Sequence, residues 1–156
     1  MSALPKEFVS RFRVMQRMDV ERVMQIERHV YEFPWTVGIF QDCIRVGYVC
    51  RVLEIQAHIL GYGIMSVSTG ECHILNICIE PEFQGRGFGR MMVERLIDIA
   101  KRNKARMAFL EVRLSNTKAF ALYHDMGFNE VGSRHDYYPA SGGKRESATV
   151  LAKVLS

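Results

Sequence analysis

The chain lacks the features that would send it to a membrane or an oxidising compartment. No stretch of its 156 residues approaches the roughly 20 apolar residues of a membrane span, and Met1-Ser2-Ala3-Leu4-Pro5-Lys6-Glu7 holds no apolar signal core. Cys43, Cys50, Cys72 and Cys78 form no Cys-x-x-Cys pair, so a disulfide framework has no support and buried, reduced thiols are expected. His73 stands beside Cys72, but tetrahedral zinc wants closer ligand pairs than Cys72 and Cys78 supply, and no metal is expected. Internal repeats, low-complexity tracts and long runs of like charge are also missing. The 21 basic and 17 acidic side chains leave a net charge of +4, with no basic stretch interleaved with aromatics, so direct nucleic-acid binding is not indicated. A soluble, cytoplasmic protein is the expectation. The mild positive balance suits a ligand carrying several phosphates, although most of these side chains read as ordinary solvated surface.

What is present fits one domain, long enough to bury most of its apolar surface without disulfides or a structural metal. Residues 12–15 read as a short strand, and Asp19 is placed to cap a helix whose Val20, Val23, Met24 and Ile26 recur at helical spacing. Beyond Phe33-Pro34-Trp35, Thr36 is placed to cap a second helix through Ile39, Phe40 and Ile44. Residues 48–55 and 58–67 predict two antiparallel strands, with Gly61 and Gly63 marking bends or close backbone approach. Residues 71–79 are apolar on both faces, as a central strand requires. A stripe of Phe88, Met91, Met92, Leu96, Ile99 and Ala100 predicts a helix over 87–103 packed on the sheet. Residues 107–114 alternate, so Ala108, Leu110, Val112 and Leu114 face one way while Met107, Phe109, Glu111 and Arg113 face the other. Ser115-Asn116 opens a further helix carrying Ala119, Phe120, Leu122, Tyr123 and Met126, which Gly127 closes. Strands over 129–138 and 147–154 follow, joined by a long mobile connection through residues 139–144. The pattern predicts an α/β fold with a mixed sheet and helices on both faces.

The segment Ile77-Cys78-Ile79-Glu80-Pro81-Glu82-Phe83-Gln84-Gly85-Arg86-Gly87-Phe88-Gly89-Arg90 joins a strand to a helix through a glycine-spaced turn. The first N–H groups of a helix have no intrahelical carbonyl, and the macrodipole leaves partial positive charge there, so phosphate oxygens bind readily. Gly85, Gly87 and Gly89 remove Cβ atoms that would hold a diphosphate off the amides, and Arg86 and Arg90 add guanidinium donors. A P-loop would end in Gly-Lys-Ser/Thr, and a dinucleotide fingerprint would read G-x-G-x-x-G near the start of a βαβ unit; this turn does neither. Taken alone, the spacing leaves two readings open, a phosphate cradle and an ordinary glycine-rich turn before a helix.

The same turn resembles the Gln/Arg-x-x-Gly-x-Gly/Ala signature of the GNAT acetyltransferase superfamily, and the chain is similar to its RimI subfamily. That second likeness rests on Phe33-Pro34-Trp35, Leu110-Glu111-Val112-Arg113, Ser115-Asn116, Ala121-Leu122-Tyr123, Gly127-Phe128 and Tyr137-Tyr138-Pro139. It covers roughly residues 11–154, which implies a GNAT domain over 11–156 preceded by an N-terminal extension over 1–10. The resemblance implies a central mixed sheet of about six or seven strands with about four helices. It further implies acetyl-CoA as co-substrate, its pyrophosphate on Gln84, Gly85, Arg86, Gly87, Phe88, Gly89 and Arg90. The pantetheine arm is expected in a gap between the fourth and fifth strands, on free main-chain groups of Ile77 and Ile79 beside Cys78. Asn116 matches a cofactor-bonding position, which a helix cap would equally explain. The acceptor implied is the N-terminal alanine of a small-subunit ribosomal protein, between the loop holding Trp35 and the hairpin holding Tyr138. Trp35 and Tyr138 read equally as core or hinge residues, and Arg113, with Glu32, reads equally as a substrate guide or a structural pair.

Acetyl transfer to an amine needs a neutral nitrogen, a stabilised oxyanion and a proton for the departing thiolate. An α-amino group, with a pKa of about 7.7–8.0 against about 10.4 for lysine, needs the least help to become nucleophilic. Glu111 is the expected general base, its pKa raised by apolar neighbours such as Phe109, and Tyr123 the general acid that the resemblance implies. No cysteine lies in a nucleophile motif, so direct attack in a ternary complex is expected. Two alternatives share the turn: the same chemistry on a polyamine, an antibiotic or a lysine side chain, and a non-catalytic acyl-CoA sensor.

Overall fold

Period-two and period-3.6 hydrophobic patterns sort the chain into strands and helices with short connections. The computed structural model describes residues 11–156, so the expected N-terminal extension lies outside the described residues. In chain order the elements are β1 (Arg11–Val14), α1 (Val20–Val30), α2 (Val37–Arg45), β2 (Val49–Ile55), β3 (His58–Ser68), β4 (Glu71–Ile79), α3 (Phe88–Arg102), β5 (Met107–Arg113), α4 (Thr117–Asp125), β6 (Asn129–Pro139) and β7 (Arg145–Val154). The strands form one seven-stranded mixed sheet in the order β1-β2-β3-β4-β5-β7-β6. Among the described residues no helix is long and apolar enough to cross a membrane. The chain separates into two compact units: the described part of Met1–Ser66 with Asn76–Leu96, and Val67–Leu75 with Ile97–Ser156.

In the first unit, β1, β2 and β3 pair antiparallel as the sequence predicts. Gly61 marks a close approach: a Cβ there would stand 2.8 Å from the Cys78 carbonyl oxygen and 2.6 Å from Ile79 Cδ1. Thr36 caps α2 as expected, its hydroxyl accepting from the Ile39 N–H at 3.2 Å. Asp19 does not cap α1. Its carboxylate turns to the Arg13 guanidinium, at 2.8 and 2.9 Å, and accepts from the Gln16 N–H at 2.7 Å. A charge-assisted two-pronged bond outcompetes a single cap.

The second unit is built on β5, where Ala108, Leu110 and Val112 are buried and the alternate residues half-buried, as the alternation predicts. β4 runs parallel to β5, with Glu71 opposite Met107 and Ile74 opposite Leu110. β7 pairs antiparallel with β5 and β6. One expectation needs correction here. The β6–β7 connection is short, because β6 extends to Pro139, β7 starts at Arg145 and a 3-10 turn over Ser141–Gly143 joins them. The Ala140 N–H donates to the Lys144 carbonyl at 3.0 Å, and the Arg145 guanidinium holds the carbonyls of Asp136 and Tyr137 at 2.8 and 2.9 Å. No residue of α4 is fully buried, and Ala119, Phe120, Leu122 and Tyr123 are half-buried.

Candidate active site

The turn after β4 is anchored before it begins. Glu80, 5% exposed, gives its N–H to the Leu60 carbonyl at 2.8 Å and its carboxylate to Arg22 at 2.9 Å and to His29. Pro81 then starts a 3-10 turn over Pro81–Phe83, and Gln84 Nε2 reaches back to the Ile79 carbonyl at 2.9 Å. Gly85 and Gly87 carry φ of +77° and +87°, the left-handed region that side chains resist, and among the described residues no atom beyond their own chain neighbours lies within 4 Å of where their Cβ atoms would stand. The first i→i−4 bond of α3 runs from the Met91 N–H to the Gly87 carbonyl at 3.0 Å. The N–H groups of Phe88 and Gly89 precede that bond at the start of the helix. Arg86 is exposed, its guanidinium 5.5 Å from the centre of the Phe83 ring.

One expectation for β4 changes. The carbonyls of Ile77 and Ile79 already accept bonds, from the Tyr31 hydroxyl at 3.0 Å and from Gln84, so each offers at most its second lone pair. Cys78 is 3% exposed, and burial pushes its thiol up to about 12, so its side chain is packing.

Sequence reasoning missed the carboxylate that seats the Trp35 loop. Glu27, 1% exposed, accepts from the Tyr62 hydroxyl, from the Trp35 N–H at 2.8 Å and from Asn76 Nδ2 at 3.0 Å. The Trp35 ring lies 5.2 Å from Phe40, which meets Tyr62 edge-on at 5.5 Å. Trp35 is thus tied to the core. The available signal was the spacing of Glu27, four residues after Val23 on the apolar stripe of α1.

In the second unit, the Glu111 side chain is 6% exposed and bridges two bases. His73 Nε2 is hydrogen-bonded to its Oε2, and Arg134 Nε donates to its Oε1 at 3.0 Å. Burial pushes the Glu111 pKa up, as expected, but the bonds and charges of His73 and Arg134 together outweigh it, and the net shift is downward. The expected raised pKa is therefore wrong: the charged partners, not Phe109, set it. His73, considered in the sequence only as a metal ligand, reaches Glu111 because β4 and β5 are in parallel register, His73 opposite Phe109 and thus diagonal to Glu111.

Around this carboxylate, Arg113 Nη1 donates to the Pro139 carbonyl at 2.8 Å and to Glu146 Oε1 at 3.1 Å, with its guanidinium 4.5 Å above the Tyr138 ring. Structural pairing of the hairpin is the role this geometry gives Arg113. Tyr138 is half-buried, 4.9 Å edge-on from Tyr137, and its phenol is shifted upward by burial and by the Glu111 charge. Tyr123, also half-buried, has its phenol pushed up to about 12 by burial. Asn116 caps α4, its Oδ1 accepting from the Ala119 N–H at 3.1 Å. The cap uses the amide oxygen and leaves the NH₂ group out of the bond.

The model of the acetyltransferase (GNAT) family matches residues 18–128. The [ribosomal protein bS18]-alanine N-acetyltransferase of Salmonella typhimurium is 35% identical over 143 residues, covering 92% of this chain and 96% of the relative. Its Haemophilus influenzae counterpart is 36% identical over 141 residues, covering 90% and 96%. The crystal structure of the ribosomal-protein-S18-alanine N-acetyltransferase from Escherichia coli matches with a TM-score of 0.87 at 32% identity, over 94% of each chain. Family model, relatives and fold agree, and the chain belongs to the GNAT acetyltransferase family, whose members take their acetyl group from acetyl-CoA.

Proposed function

We propose that this enzyme acetylates protein N-termini in the manner of the RimI subfamily, with the N-terminal alanine of ribosomal protein bS18 as its acceptor. The observation that carries this reading is the likeness to relatives named for that acceptor, at 35% and 36% identity over nearly the whole chain. Acting on a ribosomal protein places the enzyme in the cytoplasm.

The turn after β4 fits a diphosphate on its own terms: two left-handed glycines with open space beside them, the N–H groups of Phe88 and Gly89 at the helix start, and Arg86 close by. Gln84 braces the turn from inside, while Phe88 and Gly89 supply the amides. Asn116 retains its amide NH₂ as a donor for the cofactor. Acetyl-CoA supplies an activated thioester. Glu111 receives the proton of the acceptor ammonium, and Tyr123, protonated at neutral pH, donates to the departing sulfur.

Glu111 also bears on the acceptor class. Proton removal by this carboxylate is less uphill for an α-amine of pKa about 7.7–8.0 than for a lysine near about 10.4. Attack is direct, because burial keeps the thiols protonated, with Cys50 and Cys72 pushed up to about 11. In the second unit Tyr138 offers the acceptor an aromatic wall, and Arg113 acts there by holding the hairpin.

The test compares turnover on peptides beginning with Ala, Ser or Met with turnover on spermidine and on Nα-blocked lysine peptides. Preference for the Ala peptide is expected. Faster acetylation of the blocked peptides would transfer the enzyme to the lysine class, and acetyl-CoA binding with no acceptor-dependent CoA release would make it a sensor.

A further inference from the structure

Glu111 is bonded through one oxygen to a guanidinium that never gives up its proton and through the other to an imidazole that exchanges one readily. This asymmetry rests on the function proposed above and moves one role within it, receipt of the acceptor's proton, from Glu111 to His73. An ionised carboxylate accepts hydrogen bonds and donates none, so the His73 nitrogen facing it, Nε2, carries the hydrogen. When the imidazole is neutral, its lone pair is on Nδ1. A carboxylate that fixes one ring nitrogen as the donor leaves the other as a positioned base and stabilises the imidazolium once it forms.

We propose that His73 is the proton acceptor of the transfer reaction, through Nδ1, and that Glu111 orients its imidazole and balances its charge. The His73 side chain is 31% exposed, against 6% for Glu111, so the imidazole is the member of the pair open to an acceptor or an intervening water. The charged and titratable groups on this part of the second unit are Glu111 and Arg134 in direct contact, Glu71 two residues earlier on β4, and Arg113 and Tyr138 beyond Glu111.

The step balances without another reactant. His73 Nδ1 takes one proton from the α-ammonium and later yields it to water. The freed nitrogen pair forms the N–C bond to the thioester carbonyl, and the C–S bond breaks with its electron pair on sulfur. The thiolate takes a proton from the Tyr123 phenol, which the second proton of the amine restores.

The experiment measures steady-state kinetics and melting temperature of the full chain with an Ala-initiated peptide, for the wild type, His73→Ala, His73→Asn and Glu111→Gln. His73→Ala should lose about 10²-fold in kcat with its KM for acetyl-CoA nearly unchanged, and added imidazole should restore part of the loss. His73→Asn keeps an N–H donor toward Glu111 without a base and should stay as slow as the alanine variant. Wild-type turnover in His73→Asn would overturn the inference and leave Glu111 as the terminal base. A loss that imidazole does not restore, accompanied by a lowered melting temperature, would reduce His73 to a structural contact. If Glu111→Gln is inactive while His73→Asn is normal, the proposed function stands and only this refinement falls. If the wild type acetylates no N-terminus, the function itself fails.

Discussion

Glu27 and Glu111 are both carboxylates with side chains almost closed to water, one in each compact unit, and their partners differ in kind. Glu27 is satisfied by a phenol, a main-chain N–H and a side-chain amide, none of which exchanges a proton near neutral pH. Glu111 is satisfied by an imidazole and a guanidinium. Neutral donors fix a shape: Glu27 ties the Trp35 loop to α1 and β3. Donors that carry positive charge or can take it up favour the ionised carboxylate, which is what proton transfer requires.

Exchanging each carboxylate for its amide breaks the comparison most sharply. Glu111→Gln should lower turnover by about 10²–10⁴-fold and leave the affinity for acetyl-CoA nearly unchanged, measured by kinetics and calorimetry. Glu27→Gln turns an NH₂ group toward donors and should cost about 1–3 kcal/mol of stability, read by denaturant unfolding, with turnover lost only in proportion to unfolded protein. Equal effects of the two substitutions on turnover would erase the distinction.

A smaller contrast lies in two tyrosines. Tyr62→Phe removes a donor from Glu27 and should cost about 1 kcal/mol of stability without a kinetic effect beyond it. Tyr123→Phe should slow turnover while melting normally, and wild-type kinetics in that variant would remove Tyr123 from the proposed chemistry.

The smallest effect is the acid dependence of folding. The folded pKa of Glu111 lies below its ordinary value of 4.5, so the unfolded chain binds the proton more tightly there. Its contribution to stability is complete above about pH 5 and disappears as pH falls below 4.5 through the folded value. Wild-type and Glu111→Gln stabilities, measured by urea unfolding from pH 7 downward, should converge only in that acid range.

Local patterns in the chain revealed much of this. Alternation placed Glu111 on the less buried face of β5, Thr36 capped α2 as read, and Gly85 and Gly87 marked the left-handed turn before α3. The β2–β3 turn was less legible: Gln56 and Ala57 hold φ of 50° and 67° where glycine or asparagine would be the usual signal, because strand pairing on either side imposes the conformation. Asp19 was misread because Arg13, from a neighbouring strand, competes for it. The β6–β7 connection looked long because its bonds run through main-chain carbonyls, which composition does not reveal.

By itself the amino-acid order determined the elements, the glycine turn and which side chains share a strand face, since these depend on neighbours within one or two turns of chain. Only the tertiary structure decided what those side chains do. The partners that set the charge of Glu111 lie 38 and 23 residues away, at His73 and Arg134, and electrostatic neighbours set by folding shift a pKa in ways that residue spacing does not encode.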